Sequence, residues 1–293
     1  MHDECLRGWK AKHTALEGKV DECLFLFESR ISRRSDYEKV ERLCRRSVGP
    51  RDYVLSRLDK VIDDGRLFLA FEGSELVGIS HLTELLDKSG WLGMARTDPK
   101  WRGKGVARFL QRSIAAHEKK RGIKKLRMVI HVSNIPSVSA AKKGGFKPVC
   151  EVSYIYRRVK KVKEVSSAPS KPPISSLPKS KYIRMMNGYL SYDGYIMNGS
   201  PIVFKKVVDE DVVYMGNGTT LLFSKDDEYG GLTLLDGSPK KSLEKILAIG
   251  GQQGCSTVGG FIPYDSRLIN SAKKLGFSQS RWGSHMLLFE KKI

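Results

Sequence analysis

The stretch Trp101-Arg-Gly-Lys-Gly-Val-Ala107 combines residue types that suit an anionic ligand. Two glycines bracket a lysine, a predicted strand ends upstream at Asp98-Pro99, and an apolar helical run starts near Gly105. The first N–H groups of a helix are unpaired, its dipole is positive there, and glycine lets a phosphate approach the backbone. Arg102 and Lys104 add formal positive charge. The stretch predicts a pyrophosphate site, with an ordinary strand-to-helix turn carrying solvated basic residues as the alternative.

Two common nucleotide motifs are excluded by particular residues. A P-loop would need glycine at position 98 and serine or threonine at 105, where Asp98 and Gly105 stand. A dinucleotide-binding G-x-G-x-x-G pattern would need a third glycine at position 108, which is Arg108. The phosphate-binding chemistry therefore has to come from another kind of site.

Three titratable residues are candidates for proton transfer. His81 and Glu84 lie at the end of a predicted hairpin strand, and His131 ends the strand that leads to Asn134. A histidine with a pKa near its usual value of about 6.5 can relay a proton from an ammonium group. For each histidine a packed or solvated side chain is the alternative, and for Glu84 it is a surface carboxylate.

The elements that would position these residues alternate between strands and helices. Residues 29–157 predict a strand, helices, a hairpin of strands 67–71 and 76–82, a strand, the glycine stretch with its helix, a strand, a short helix and a strand. Ser35 is the predicted N-cap of the first helix. Later in the chain, residues 201–208 read as a strand, and Ser238 precedes a helix as its N-cap.

A segment rich in proline, serine and lysine divides the chain. We expect an N-terminal extension over residues 1–28, a first domain over 29–159, a linker over 160–181 and a second domain over 182–293. Residues 265–292 align with 134–161 without a gap, so the two domains are predicted to be related copies. Chance similarity of two short helix–strand units is the alternative.

Composition restricts the broad class of the protein. The 293 residues are 40% hydrophobic and 29% charged, with a formal net charge of +20, which suits a globular protein with anionic partners. The five cysteines are widely spaced without a C-x-x-C pair, so neither a disulfide framework nor a zinc site is expected, and no metal is predicted. No apolar leader and no run of 18 apolar residues occurs, so we expect a cytoplasmic protein without membrane association.

Two motifs resemble the GNAT N-acetyltransferase superfamily. In "TDPKWRGKGVARFLQ", Arg102, Gly105 and Ala107 occupy the positions of the family's R-x-x-G-x-[GA] pattern. Downstream, Asn134 and Lys143 followed by Gly145-Phe146 match the family's second pattern at its spacing. The resemblance covers about half of the chain well and, through the repeat, extends weakly to the last third of the second half.

The resemblance implies a fold and a cofactor. The fold would be mixed α/β (α+β), with two GNAT-like acyl-CoA N-acyltransferase domains in tandem and acetyl-CoA wedged where the first sheet splays. The backbone of six residues would hold the pyrophosphate: Arg102, Gly103, Lys104, Gly105, Val106 and Ala107. The pantetheine arm would contact the strand end and the following motif: Ala95, Arg96, Thr97, Asn134 and Lys143.

The sequence departs from the family pattern in both halves. The family's tyrosine acid falls on Ala141, and a glutamate common before the glycine loop falls on Gly93. The second half has "DGSPKKSLEK" in place of the glycine loop, and Pro239 removes an N–H group that a phosphate would use. We expect this half not to bind CoA, but to complete the acceptor pocket or to form a rigid interface.

The predicted function is transfer of an acetyl group from acetyl-CoA, as cosubstrate, to an amine that attacks the thioester directly. The acceptor would be a small molecule or a protein amine. Two alternatives remain. The charge of +20 and "RRVKKVK" at 157–163 favour a nucleic-acid-binding module, although no aromatic–basic RNA motif or helix-turn-helix pattern occurs. The loss of both acid–base residues, at Ala141 and Gly93, would suit a CoA-binding sensor without turnover.

Overall fold

A computed structural model describes residues 27–160, 173–210, 212–216, 218–279 and 283–293. The predicted N-terminal extension lies almost entirely outside the described residues, as do residues 161–172 of the predicted linker. The strands are β1 Phe27–Ile31, β2 Leu67–Glu72, β3 Glu75–Glu84, β4 Gly90–Thr97, β5 Lys125–His131, β6 Lys147–Arg158, β7 Tyr189–Tyr192, β8 Tyr195–Asn198, β9 Val212–Gly216, β10 Thr219–Asp226, β11 Tyr229–Asp236, β12 Thr257–Pro263, β13 Ser278–Gln279 and β14 Met286–Lys292.

The helices lie on both faces of the sheet. They are α1 Tyr37–Ser47, α2 Leu58–Asp63, α3 Val106–Lys120, α4 Ile135–Lys143, α5 Lys181–Met185, α6 Pro201–Glu210, α7 Pro239–Gln252 and α8 Ser266–Lys274. Short 3-10 turns cover Arg34–Asp36, Leu55–Arg57, Pro99–Trp101 and Ile174–Lys179. In the part of the chain given above, no helix is long and apolar enough to cross a membrane.

Twelve of the described strands form one mixed sheet that runs through both halves of the chain. The strand order is β1-β2-β3-β4-β5-β14-β6-β12-β11-β10-β9, with β13 pairing to β6, and β7–β8 forms a separate hairpin. On one side of the boundary between β14 and β6 the order is β14, β5, β4, β3, β2, and on the other side it is β6, β12, β11, β10, β9. Strands at the same distance from the boundary correspond between the two halves. This symmetry agrees with the repeat of 134–161 in 265–292.

The two halves exchange their last strands. Strand β14 lies between β5 and β6, with Leu288 opposite Val129 on one side and Cys150 on the other. Strand β6 pairs at its other edge with β12, where Ile155 lies opposite Gly260. The predicted linker therefore separates the halves along the sequence, while the sheet is continuous between them. The domain boundaries at 159 and 182 stay a prediction.

The hydrophobic cores show the same exchange. On the face covered by α3 and α4, Leu287 and Phe289 of β14 are buried beside Leu110 and Phe146 of the first half. In the second half, Ile155 of β6 is buried in the core under α7 and α8. Neither core can be completed by its own half, because each needs side chains from the strand that the other half contributes.

Three details of the local predictions are settled by the structure. Ser35 lies inside a 3-10 turn and is not the N-cap of α1, because Asp36 occupies that position. The prediction of a strand over 201–208 was wrong, since Pro201–Glu210 is helix α6 with Val203, Phe204 and Val207 on its buried face. The Ser238 cap is confirmed, because its hydroxyl accepts from the Lys241 N–H.

Candidate active site

The sheet splays between β4 and β5. These parallel strands pair only at Gly90–Leu126 and Trp91–Arg127, near the start of each strand, and separate beyond that point. The pairing of β4 with β3 shifts register between Ile79 and His81, and Met94 of β4 has a left-handed φ of 53°. An irregularity of this kind bends a strand and redirects its side chains, so it accounts for the divergence of β4 from β5.

A cleft of about 310 Å³ occupies the splay. Strands β3, β4, β5 and β14 and helices α3 and α4 line it. The lining residues are Ile79, Ser80, Leu92, Gly93, Met94, Ala95, Thr97, Ala107, Leu110, Gln111, Met128, Val129, Ile130, His131, Asn134, Ser137, Ala140 and Met286. In this set there is no Lys, Arg, Asp or Glu, and His131 is its one titratable side chain. The cleft is therefore a mostly apolar channel through the sheet with a few polar groups along it.

The glycine stretch forms the N-terminal end of α3 beside this cleft. Gly105 is the N-cap with φ 88° and Gly103 has φ 81°, a backbone conformation that L side chains rarely adopt. A Cβ atom at Gly103 would meet no atom within 4 Å, and one at Gly105 would meet only the Arg108 guanidinium, at 4.0 Å. The surface above both glycines is open to a ligand.

Several backbone N–H groups at this junction are free. Within the described residues, the N–H groups of Gly103, Gly105, Val106, Ala107 and Arg108 find no backbone acceptor. The N–H groups at positions 102 and 104 are used inside the turn, where they donate to the carbonyls of Pro99 and Trp101. Of the six residues predicted to form the phosphate cradle, four therefore present free donors, and position 108 adds a fifth. Together with the helix dipole, these donors suit an anionic ligand.

The basic side chains at the cradle have different roles. Arg102 Nη2 donates to the Ser47 carbonyl at 2.7 Å, which fastens the loop to the end of α1. Lys104 Nζ lies 4.4 Å from the centre of the Trp101 ring. Arg108 is only 9% exposed, and its Nε has no hydrogen-bond partner among the described residues. A buried, incompletely paired guanidinium next to Gly105 fits an absent anionic group, so the pyrophosphate of CoA suits these residues.

Residues predicted to hold the pantetheine arm divide into two groups. Ala95 and Thr97 line the cleft, and Asn134 lines it at the start of α4. The Oδ1 of Asn134 accepts from the Ser137 N–H at 3.3 Å, which leaves the Nδ2 group as a donor toward a ligand. In contrast, the Arg96 side chain pairs with Asp52 at 2.6 Å away from the cleft lining.

Lys143 also lies outside the cleft lining. It is an exposed residue in the last turn of α4, whereas the cleft contacts that helix through Ser137 and Ala140. Arg96 can therefore contribute to the cofactor arm only through its backbone, and Lys143 only from the outer surface.

Of the three acid–base candidates, the structure brings His131 alone to the cleft. Its Nδ1 lies 2.7 Å from the Ser133 hydroxyl, and its Nε2 is buried without a partner among the described residues. Burial, with a smaller effect of His285, lowers the pKa of His131 below its usual value. The imidazole is therefore neutral near pH 7, and because Nδ1 accepts from the Ser133 N–H at 3.1 Å, Nδ1 is its basic nitrogen and the buried Nε2 carries the proton.

His81 and Glu84 do not line the cleft. His81 is buried on β3, and its Nε2 lies 2.7 Å from an Asp64 carboxylate oxygen just beyond α2. Glu84 pairs at the surface with Lys88 at 3.2 Å and with Arg66 and Arg121 at 3.7 Å. Strand β3 contributes Ile79 and Ser80 to the cleft instead.

The family departures have structural explanations. Ala141 is fully buried in the core to which α3, α4 and β14 contribute, where a tyrosine would overpack the surrounding side chains. Gly93 faces open space, since a Cβ there would meet nothing closer than the Trp91 ring at 3.9 Å. Sequence reasoning missed Met286, because an exchanged strand brings it from the other end of the chain. It also missed Arg108, although its position three residues after Gly105 places it on the first turn of α3.

The second half contains a matching splay that is occupied by its own chain. Strands β11 and β12 pair only at 229–257, 230–258 and 231–259. Beyond these pairs Ser191 of β7 bridges the two strands, since its carbonyl accepts from the Thr233 hydroxyl and its hydroxyl accepts from the Phe261 N–H at 3.1 Å. The hairpin therefore takes the position that remains open between β4 and β5.

Comparisons with known proteins agree with this geometry. Residues 34–146 match the model of the acetyltransferase (GNAT) family. No curated protein matches the chain. A putative acetyltransferase from Pyrococcus horikoshii is 16% identical with a TM-score of 0.56, and the match covers 96% of this chain and 94% of that one. A GCN5-related N-acetyltransferase from Sphaerobacter thermophilus is 11% identical with a TM-score of 0.56, covering 94% and 97%. The predicted fold class is confirmed.

Proposed function

We infer that the chain is a member of the acetyltransferase (GNAT) family, whose model matches residues 34–146. The activity is transfer of an acetyl group from acetyl-CoA to an amine, with one cofactor site per chain in the splay between β4 and β5. The observation that carries the proposal is the set of free N–H groups of Gly103 and of residues 105–108 at the mouth of an open, uncharged cleft.

Binding would use groups that are unpaired in the protein alone. The free N–H groups of the cradle and the Arg108 guanidinium hold the pyrophosphate, and Asn134 donates to the pantetheine arm. The arm lies between β4 and β5, where each strand leaves backbone groups that its neighbour does not satisfy. The pantetheine arm thus hydrogen-bonds to backbone groups that β4 and β5 leave unpaired where they separate.

Chemistry would depend on positioning and on one proton acceptor. Acetyl-CoA supplies an activated acyl carbon whose thiolate leaves readily. The protein holds the amine against that carbon and keeps water out of the apolar channel. His131, neutral and at the cleft, removes the proton that the attacking nitrogen loses. Position 141 is an alanine, so no tyrosine there protonates the leaving group, and the CoA thiolate takes its proton from solvent after it has left the channel.

The test is calorimetric binding of acetyl-CoA to a pair of matched variants. In Gly105→Glu the new carboxylate fills the phosphate space, so we expect binding to be lost. Gly73→Glu is the control, because Gly73 also has a left-handed φ with nothing within 4 Å but lies in the β2–β3 turn. If folded Gly105→Glu bound acetyl-CoA like the control, the cofactor site would be elsewhere.

Two outcomes would favour other functions. A chain that binds acetyl-CoA but releases no thiol with any amine would be a CoA-binding sensor, as the residues Ala141 and Gly93 suggest. A chain that gives no heat with acetyl-CoA but binds DNA or RNA with strong salt dependence would be a nucleic-acid-binding module, as its charge of +20 suggests.

A further inference from the structure

A row of aromatic side chains crosses the sheet face opposite α3 and α4. We call it the aromatic row and define it as Trp91, Phe261, Tyr154 and Tyr195. The Trp91 and Phe261 ring centres are 6.3 Å apart, Phe261 and Tyr154 are 5.0 Å apart, and Tyr195 meets the other side of Trp91 at 5.8 Å. Phe261 is buried, and the other three rings are half-buried: each packs against the core under the β7–β8 hairpin and leaves part of its surface exposed. Clustered, accessible aromatic rings of this kind mark binding surfaces.

The row begins at the cleft. Gly93 lines the cleft, and a Cβ built on it would lie 3.9 Å from Cδ1 and Nε1 of Trp91. The glycine is not in a left-handed conformation, so its backbone would accept other residues. Its missing side chain leaves a gap between the cleft and the Trp91 ring. A molecule whose reactive group lies in the cleft can therefore rest its body on the aromatic row.

The charges around the cleft and the aromatic row restrict the chemistry of the part of the acceptor that lies outside the cleft. No lining residue of the cleft carries a formal charge at neutral pH, and the row itself is uncharged. At its far end Tyr154 hydrogen-bonds the Tyr229 hydroxyl at 2.6 Å, and Arg57 and Asp193 act on Tyr154 with opposite signs. Between the cleft and Trp91 an acceptor with a second ammonium or a carboxylate would lose hydration without gaining a partner, because these charged side chains lie only beyond Tyr154. This neutrality contrasts with the strongly basic molecule as a whole.

We propose that the acceptor is an arylalkylamine, a primary amine on a short chain attached to an aromatic ring, whose ring stacks on Trp91. The inference rests on the proposed acetyl transfer. In the reaction the amine nitrogen forms the new C–N bond as the C–S bond breaks. The proton of the nitrogen goes to His131 and the electron pair leaves with the thiolate. The product is an N-acetyl arylalkylamine and CoA.

This assignment also gives the second half a role. Trp91 belongs to β4 of the first half and Tyr154 to β6, whereas Phe261 and Tyr195 come from β12 and the β7–β8 hairpin. The same hairpin that closes the second splay therefore forms one wall of the acceptor surface of the first. Because two chain segments far apart in sequence are needed, the first half alone would have only part of the surface.

The experiment compares steady-state acetylation of 2-phenylethylamine, 1,4-diaminobutane and a lysine-containing peptide. In the unmodified protein we expect kcat/KM to be highest for 2-phenylethylamine. Trp91→Ala should lower kcat/KM for that amine about ten- to a hundredfold, mainly through KM, while Trp91→Phe should recover most of it. Gly93→Leu should block the gap and give a similar loss, whereas Gly93→Ala should be mild. The Kd for acetyl-CoA should stay unchanged in the two Trp91 variants, because Trp91 does not line the cleft.

Tyr37→Ala is the matched control, because Tyr37 is a half-buried aromatic residue on α1 that meets Arg34, outside the aromatic row and the cleft lining. It should acetylate all three amines as the unmodified protein does. If the diamine or the peptide were preferred, or if Trp91→Ala acted equally on all three amines, the arylalkylamine proposal would be overturned and the acetyltransferase proposal would stand. If acetyl-CoA were not bound, or no amine released thiol, both proposals would fail together.

Discussion

The strands diverge in a similar way at the two splays of the sheet. The backbone groups freed by the divergence stay unpaired among the described residues at the first splay and are satisfied by the chain itself at the second. Between β4 and β5 two residue pairs are followed by an open cleft, and between β11 and β12 three pairs are followed by Ser191, which satisfies groups of both strands. The helix after each splay repeats the difference. Helix α3 starts at Gly105 without a side-chain cap, whereas α7 starts with a capping serine and a proline. A binding site in this fold consists of groups that the chain itself leaves unpaired.

The glycines before the two helices show the same contrast. Gly103 has nothing within 4 Å of a Cβ position, so a ligand can reach the backbone. Gly237 also has a left-handed φ, but a Cβ there would lie 2.8 Å from the Gly218 carbonyl oxygen. The loop at Gly103 is open to a phosphate, whereas the loop at Gly237 is closed by its contact with the Gly218 backbone. This is the structural basis for expecting one cofactor site and not two.

The largest expected effect concerns the strand exchange that joins the two regions. Phe289→Ala removes a fully buried ring of β14 from the core under α3, and we expect a loss of about 3–5 kcal/mol in the free energy of unfolding. Ile155→Ala, the reciprocal change in β6, should cost about 2–5 kcal/mol in the other core. Chemical denaturation followed by circular dichroism measures both. If the two halves folded independently, denaturation would show two transitions. Acetyl-CoA would then stabilise the transition of the first half equally with and without Phe289→Ala.

The second prediction concerns the titratable group of the open splay. Strand β12 has no titratable side chain, whereas β5 ends with His131. The neutral imidazole accepts the proton, so kcat/KM should fall as the pH drops through the pKa of His131. Burial and His285 lower that pKa, so this acidic limb should lie below about pH 6.5.

His131→Gln should remove the acidic limb and reduce kcat/KM about a hundredfold. The rise at higher pH that reports deprotonation of the acceptor amine should remain, which makes it an internal control. Retention of the acidic limb in the variant would assign the base to another group, and the His81–Asp64 pair would be the next to examine.

Much of the first half could be predicted from the sequence, since its signals are local. The hairpin and the glycine junction follow from periodicity and from where glycine, proline and the capping residues stand. The exchange of β6 and β14 could not be predicted, because both strands fit either half and their choice of neighbour is a long-range matter. The helix at 201–210 was read as a strand because Pro201 precedes a short run of β-branched residues, and tertiary burial of Val203, Phe204 and Val207 decides otherwise.

Among the site residues, the backbone cradle and Asn134 follow from local motifs, whereas the choice between the candidate histidines and the place of Met286 do not. The cradle follows from glycine spacing. Whether His81 or His131 reaches the cleft depends on strand register, and a shift of one residue in β3 reverses the direction of a side chain. Met286 depends on the strand exchange, which no local pattern reveals.

The third prediction compares a basic residue at the same place on the two helices. Arg108 and Lys241 each lie three residues after the N-cap, but Arg108 is buried and Lys241 is exposed. Arg108→Met should weaken acetyl-CoA binding about tenfold, because a charge-assisted bond to the pyrophosphate is lost. It should leave the melting temperature of the free protein equal or higher, since a buried cation with an unpaired Nε is removed. Lys241→Met should change neither the Kd for acetyl-CoA nor the melting temperature. If Arg108→Met lowered the melting temperature and left the Kd unchanged, Arg108 would be a structural residue.

The smallest expected effect tests what closes the second splay. Ser191→Ala removes the acceptor of the buried Phe261 N–H, while the bond from Thr233 to the backbone carbonyl remains. We expect a cost of about 1–2 kcal/mol in the free energy of unfolding, against a few tenths for Ser176→Ala, whose hydroxyl bond is exposed. Calorimetry should still give one acetyl-CoA per chain, because Pro239 and the Ser238 cap leave α7 without a free cradle. A second site appearing in Ser191→Ala would mean that the hairpin alone, and not the helix terminus, distinguishes the two splays.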